Sequence, residues 1–400
     1  MSDKIVSPDK QYELNITNSG QLIVYSKSGR VIWASNSDPN PEPIIPDPPL
    51  SQTLRKLSIV GSNFYAGETR FFPIGISSFS SIQLYTGEKD IKGLFQFYKD
   101  NKINWIRVFM MLSWMKMYRE DTVPALSPFL SLAEPYGIYV EIVALADTEL
   151  LPKFDQREHC NEVSSICEQH NNSVLEIFNE PFHGVAQKAD PEWLHEQALL
   201  TPISLICSEG SSNDFEDTSS KGDYITCHAD RTDGDNGWRH VRHVKEMLDL
   251  KNIVNKPCIS DEPIGSGEEF EAGRRENDPS KWRAKGLLTT LFGPETFHYQ
   301  QGLYSQIPTG EQLECFKAWI QGVNFFPNSF RYDYTFVNSG WNNSPVKSFS
   351  NALRVYSGIC DNKAFSIVLD DKGVNIEWQN GFYKVDEYKF PGTRIVYSER

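Results

Sequence analysis

The chain has 400 residues, of which 39% are hydrophobic and 23% charged, and a formal net charge of −14. That length predicts one large domain with something smaller attached. The acidic balance, without any long basic run, excludes phosphate-backbone binding and attraction to an anionic membrane surface, so neither nucleic acid nor membrane is an expected partner. No apolar run is long enough to span a bilayer. The opening "MSDKIVSPDKQYELN" carries no apolar segment of a secretory signal. Seven cysteines without a repeating spacing read as free thiols of a reducing compartment.

In chain order, residues 11–35 alternate polar and apolar, with turn signals at Asn18-Ser19-Gly20 and Lys27-Ser28-Gly29, and predict two or three short antiparallel strands in a β-module over 1–37. "DPNPEPIIPDPPL" (38–50) is too rich in proline for a helix or a central strand and predicts an extended linker. Eight apolar runs follow: 71–79, 103–112, 137–146, 173–180, 202–210, 223–230, 256–265 and 295–302. Amphipathic stretches such as 91–102 and 238–250 lie between them. Continuous apolar strands alternating with helices predict parallel βαβ units, and eight of them predict an α/β fold of the (β/α)8 TIM-barrel type over 51–345. An open doubly wound sheet is the alternative, although no glycine-rich phosphate loop follows the first run. Short β-like runs return over 346–400 and predict a small C-terminal β extension.

In such barrels the chemistry sits at the carboxyl ends of the strands. The second run carries Arg107, the fourth ends in Asn179-Glu180, and the sixth ends in His228. The seventh ends in Asp261-Glu262 and the eighth carries His298-Tyr299. Strands four and seven lie on opposite sides of an eight-stranded ring, so Glu180 and Glu262 are expected to face each other across its mouth. Two carboxyl groups across a cleft, one giving a proton and the other attacking or activating water, are what glycosidic-bond hydrolysis requires.

"LEIFNEP" resembles the fourth strand of the clan A glycoside hydrolases, the cellulase- and mannanase-like (β/α)8 glycosidases, and "KPCISDEP" resembles their seventh. The resemblance covers about residues 60–305. It implies Glu180 as acid/base, Asn179 as the contact to the sugar 2-hydroxyl and Glu262 as nucleophile. It further implies Arg107 as the arginine beside the nucleophile and His228 as a cleft-lining residue. The sequence departs from the pattern at Asp147, Asp230 and His298-Tyr299, where the family places a histidine, a tyrosine and a tryptophan. Those positions hold the sugar, so the substrate stays open. His298, Tyr299 and the loop aromatics Trp114 and Trp238 complete the expected substrate contacts; Phe182 and His183 are further loop candidates. The implied activity is a retaining glycosidase acting on a poly- or oligosaccharide, with no metal or organic cofactor.

"YELNITNSGQLIVYSKSGRVIWASN" resembles one repeat of the bulb-type mannose-binding lectins, whose sugar site reads Gln-x-Asp-x-Asn-x-Val-x-Tyr. Thr17, Ser19, Gln21, Ile23 and Tyr25 stand at those positions. One repeat is too small to bury a core alone. Packing against the barrel, dimerisation and docking onto a larger assembly are the three outcomes this leaves open. The missing signal leaves two routes open: a cytoplasmic enzyme acting on oligosaccharides, or a protein released in a phage particle or by another non-classical route.

Blander readings stand beside these. Glu180 is alternatively a helix cap, Asp261 rather than Glu262 the functional acid, Arg107 an ion-pair partner, and His228 a core histidine. Glu176 reads as a structural carboxylate in the barrel floor. Cys160, Cys167 and His170 share one helix face, which a core stripe explains without zinc. His240 and His243 are placed on an exposed helix. The rival functions are a non-catalytic carbohydrate-binding or structural protein on a degenerate barrel, and a metal-dependent barrel hydrolase.

Overall fold

The computed structural model describes residues 4–6, 12–16, 22–26, 31–34, 54–87, 89–182, 189–210, 219–228, 237–268, 275–326, 334–360 and 362–400. The chain divides into two units, Met1–Ser51 and Gln52–Arg400. In the first, strands Lys4–Val6, Tyr12–Ile16, Leu22–Ser26 and Val31–Ala34 form a four-stranded antiparallel sheet in sequence order. Thr17, Ser19, Gln21 and the proline-rich stretch 38–50 lie outside the described residues.

The second unit contains eight parallel strands, one in each of the eight apolar runs. They are β1 (Gly75–Ser77), β2 (Trp105–Phe109), β3 (Tyr139–Leu145), β4 (Ser173–Phe178), β5 (Cys207–Ser208), β6 (Ile225–Cys227), β7 (Cys258–Ser260) and β8 (Thr296–Phe297). Six pair in the order β5-β4-β3-β2-β1-β8, and β6 pairs with β7. Both seams between these sheets are bridged. Ser260 pairs with Glu295 in parallel, and Asp223 N donates to Cys207 O at 2.7 Å. The arrangement is TIM-barrel-like. Every residue of β2, β3 and β4 is buried, which is why these segments are largely apolar; Arg107, Glu141 and Glu176 are the charged exceptions.

Helices form where capping and apolar spacing agree. Asp155 caps Gln156–Glu168 by accepting from Glu158 N at 2.9 Å, and the helix buries His159, Cys160, Val163 and Cys167 on one face. His170 Nε2 lies 2.9 Å from Ser127 Oγ, so the Cys/His stripe is spent on packing and a side-chain contact. Asp190 and Asp278 likewise cap Pro191–Leu200 and Pro279–Phe292, each with proline in the first helical turn. No helix among the described residues is long and apolar enough to cross a membrane.

Two additions flank the parallel strands. A meander of Leu57–Val60, Asn63–Ala66 and Thr69–Phe71 sets Leu57 and Phe64 against Trp105, Tyr139, Val174, Ile206, Tyr224 and Ile259, which sit at the amino ends of the strands or just before them. That end of the strand set is plugged, leaving the carboxyl ends as the accessible mouth. The C-terminal part is a five-stranded antiparallel sheet and a two-stranded one. It begins at Thr335–Asn338, earlier than the sequence boundary at 346. Alternation along its strands builds two cores. Tyr356, Phe365, Ile367 and Ile395 pack on Ala284, Leu287 and Leu291 of the helix Pro279–Phe292. Val355, Val368 and Val396 face Val346 and Val374.

Candidate active site

Alternation places Trp105, Arg107 and Phe109 on one side of β2, with Arg107 in register with Ser77 on β1 and Glu141 on β3. Arg107 is fully buried and is the hub of the site. Its Nε lies 2.7 Å from Glu176 Oε2 and 2.8 Å from Asp261 Oδ2, and its Nη2 lies 2.8 Å from Glu176 Oε1. Nη2 also donates to Asn179 Oδ1 at 2.7 Å, and Nη1 donates to Glu262 Oε2 at 3.0 Å. The guanidinium carbon sits 4.8 Å from the Phe109 ring centre.

Burial pushes Asp261 well above the usual carboxylate range; Arg107 opposes this, and Glu176, Glu141 and Glu262 reinforce it. Burial also pushes Glu141 up to about 7, with Glu176 adding to the rise. Glu141 accepts from Tyr224 Oη at 2.6 Å and Trp105 Nε1 at 3.0 Å. Burial alone would lower Arg107, but Asp261, Glu176 and Glu262 hold it well above its ordinary value, so its charge is fixed.

Glu180 lies two residues beyond β4. Asn179 N still donates to Leu145 O at 2.9 Å, continuing the ladder by one residue. At Glu180 the backbone turns to φ 44°, a left-handed conformation that is rare for such a side chain and that collects at functional sites. Pro181 then has no N–H with which to resume pairing. His228 joins the two glutamates: its Nδ1 is 3.0 Å from Glu180 Oε1 and its Nε2 is 3.8 Å from Glu262 Oε2. One carboxylate oxygen each of Glu180 and Glu262, and a ring nitrogen of His228, all lie within 4.8 Å of one another. Both glutamate side chains keep some exposure, 12% and 13%, whereas Asp261 has none. Of the Asp261-Glu262 pair, Glu262 is therefore the one a solute can reach.

Glu176, His228 and Asp261 form a second trio of metal-capable groups with the same spacing. Arg107 already supplies positive charge to both its carboxylates. Asp147 stands at the end of the third strand, with φ 52°. Its Oδ2 accepts from Ser113 N at 2.9 Å and Ser113 Oγ at 2.7 Å, pinning the loop that carries Trp114. Trp114 is 51% exposed and meets the edge of Tyr304, from the segment after β8, at 6.2 Å. Phe182 is exposed; His183 and Asp230 lie outside the described residues.

Four expectations need correction. Trp238 is 5% exposed and packs in the core formed with the C-terminal sheet, against Gly392, so it offers no face to a sugar. Tyr299 is fully buried against Phe297 and donates to Gln306 O at 2.7 Å, which makes it a core tyrosine. His240 is buried rather than exposed, 3.0 Å from Glu276 Oε2. His298 is also buried, its ring 5.5 Å from Phe79, behind the mouth rather than lining its rim.

Sequence reasoning missed Glu141, Glu209, Ser77 and Tyr304. Glu209 follows β5, is buried, and lies 2.9 Å from His195 Nδ1. Its position at a strand end was the available signal. Ser77 Oγ donates to Asp261 O at 2.7 Å and fixes the backbone beside Glu262.

No family model matches the sequence, and no curated protein matches it. Solved structures do match. A glycoside hydrolase family 5 protein from Bacteroides vulgatus ATCC 8482 aligns over 87% of this chain and 95% of its own, at 12% identity and a TM-score of 0.59. A putative glycoside hydrolase from the same organism covers 99% of this chain and 94% of its own, at 12% identity and a TM-score of 0.54. A β-glucanase from Saccharophagus degradans, solved with cellotetraose, covers 68% and 94%, at 14% identity and a TM-score of 0.51. The chain thus has a fold that family 5 glycoside hydrolases adopt, at an identity that speaks for the fold alone.

Proposed function

We propose that this protein is a retaining glycoside hydrolase built on a closed (β/α)8 barrel, acting on a poly- or oligosaccharide. Glu180 gives its proton to the leaving oxygen and Glu262 attacks the anomeric carbon. Glu180 then takes the proton of the water that releases the sugar. The observation that carries this reading is the approach of Glu180 and Glu262 oxygens within 4.8 Å, with His228 between them and Arg107 held against Glu262. Retaining enzymes place their carboxyl groups about 5–5.5 Å apart, and inverting ones about 6.5–9.5 Å. Arg107 keeps a positive charge beside the attacking oxygen, and Asn179, itself held by Arg107, is positioned for the sugar 2-hydroxyl. Trp114 and Tyr304 offer apolar faces for ring stacking.

The test is release of reducing ends from a broad polysaccharide panel that includes β-glucans, followed by NMR of the first-formed sugar on any substrate cleaved. Retention of anomeric configuration and a rate unchanged by chelator are expected. Prompt appearance of the opposite anomer rules out the double displacement, and binding without turnover by the wild type favours a non-catalytic carbohydrate-binding protein.

A further inference from the structure

The turn between the strands Thr335–Asn338 and Val346–Ser350 reads Ser-Gly-Trp-Asn-Asn-Ser-Pro. Trp341 within it is 53% exposed, so a large apolar ring forgoes much of the stabilisation that burial would give. A loose turn would let the indole fold down, but this one is held from beneath. The Gln379 side-chain amide donates to Trp341 O, and also to Ser344 O at 2.7 Å. Asn380 Nδ2 donates to Asn342 O at 2.7 Å and Ser344 O at 3.3 Å. Within the turn, Gly340 N donates to Val346 O at 2.8 Å and Ser344 N to Trp341 O at 2.9 Å. Two amide side chains thus satisfy three turn carbonyls, those of Trp341, Asn342 and Ser344, and fix the turn with its ring outward.

The turn that carries the ring is polar and uncharged. Asn342, Asn343 and Asn380 are exposed beside it, and residues 339–346 include no charged side chain. The charges that follow, Lys347 and Glu377, pair with each other. A flat apolar face bordered by amides suits a pyranose, whose C–H face stacks on the ring while its hydroxyls exchange hydrogen bonds with the amides. It suits a phosphate or an acidic peptide poorly, because no free cation stands in the turn.

We propose that the Trp341 turn is a second, non-catalytic carbohydrate-binding site for a neutral polysaccharide, built by the C-terminal sheets and separate from the strand ends that carry Glu180 and Glu262. The choice of a polysaccharide as ligand rests on the glycosidase reading.

The experiment is electrophoresis of the folded full chain through native gels containing hydroxyethylcellulose, mixed-linkage β-glucan, galactomannan or xylan. A Glu262→Gln background keeps the matrix intact. Retardation is expected in at least one gel. Trp341→Ala is expected to weaken the apparent affinity about tenfold and Trp341→Phe less, as loss of one stacking face predicts. In the otherwise wild-type chain, Trp341→Ala leaves hydrolysis of short soluble glycosides unchanged. Equal retardation of a folded Trp341→Ala chain overturns the proposal, as does no retardation of the parent chain in any gel. Reducing-end release by the wild type tests the catalytic reading separately, so either proposal can fail while the other stands.

Discussion

Arg107 and Glu176 form a two-pronged ion pair among the parallel strands, Nε to Oε2 at 2.7 Å and Nη2 to Oε1 at 2.8 Å, with both side chains fully buried. A buried pair of this kind contributes orientation more than stability, because desolvation offsets much of the attraction. The fork sets the guanidinium plane. With that plane set, Nη1 is left for Glu262 and Nη2 reaches Asn179 as well. Removing the arginine would strand Glu176 and Asp261 without a cation. Arg107→Met is expected to lower stability by about 3–5 kcal/mol in urea melts. Arg107→Lys, unable to make the fork, should keep the charge yet still lose activity.

Glu180 and Glu262 are predicted to fail in different ways. Glu180→Gln should reduce kcat/KM by about 10²–10⁴-fold on a glycoside with a poor leaving group. On a dinitrophenyl glycoside, whose leaving group needs no proton, the first step should be largely spared. Glu262→Gln should abolish turnover of both substrates. Equal losses for Glu180→Gln on the two would remove it from the acid role.

Glu141 makes stability depend on pH. Its folded value is raised to about 7 by burial and then by Glu176, against an ordinary value of 4.5. A raised carboxyl stabilises the native state fully below its unfolded value and loses that contribution as pH rises through the folded one. Melting temperature should therefore fall from about pH 4.5 to pH 7, with a loss on the order of 3 kcal/mol in stability. Glu141→Gln should reduce this slope without abolishing it, because burial raises Asp261 in the same direction. Comparing variant with wild type at each pH cancels His240, which burial lowers to about 4 and which loses its contribution in the opposite direction, as pH falls from 6.5.

The burial of Trp238 and the exposure of Trp114 predict opposite phenotypes. Trp238→Ala should cost about 3–5 kcal/mol, as for other large core truncations, with KM little changed in the protein that remains folded. Trp114→Ala should raise KM while the melting temperature stays near wild type. A KM effect without a stability effect at Trp238 would restore it as a sugar contact.

Gly210 follows Glu209 with φ 102°, and a Cβ there would meet Phe178 O at 1.7 Å and Glu176 Oε1 at 3.5 Å. Nothing but glycine fits so close to the backbone of β4. Gly210→Ala should destabilise the chain severely and disturb Glu176, read as a lowered melting temperature with loss of activity.

Much of this architecture is legible in the chain because its signals are local. Eight apolar runs become eight strands since a strand covered on both faces is mostly apolar, with a charge such as Arg107 tolerated only where a partner such as Glu176 meets it. Glu180 and Glu262 are legible because a charge at the end of such a run has nowhere to go but the mouth. The meander that plugs the amino ends was not read, because residues 57–71 show neither a long run nor clean alternation.

What the sequence determined by itself is therefore the order of the strands and the residue type at each strand end, both set by periodicity over a few residues. Only the tertiary structure decided which of those residues meet. Arg107 finds Glu176, Asp261 and Glu262 through side chains brought together from β2, β4 and the end of β7. It also decided that Trp238 and Tyr299, which read as mouth aromatics, are core. Burial of a side chain depends on what packs over it, and here that is the C-terminal sheet for Trp238, and Phe297 with the backbone at Gln306 for Tyr299.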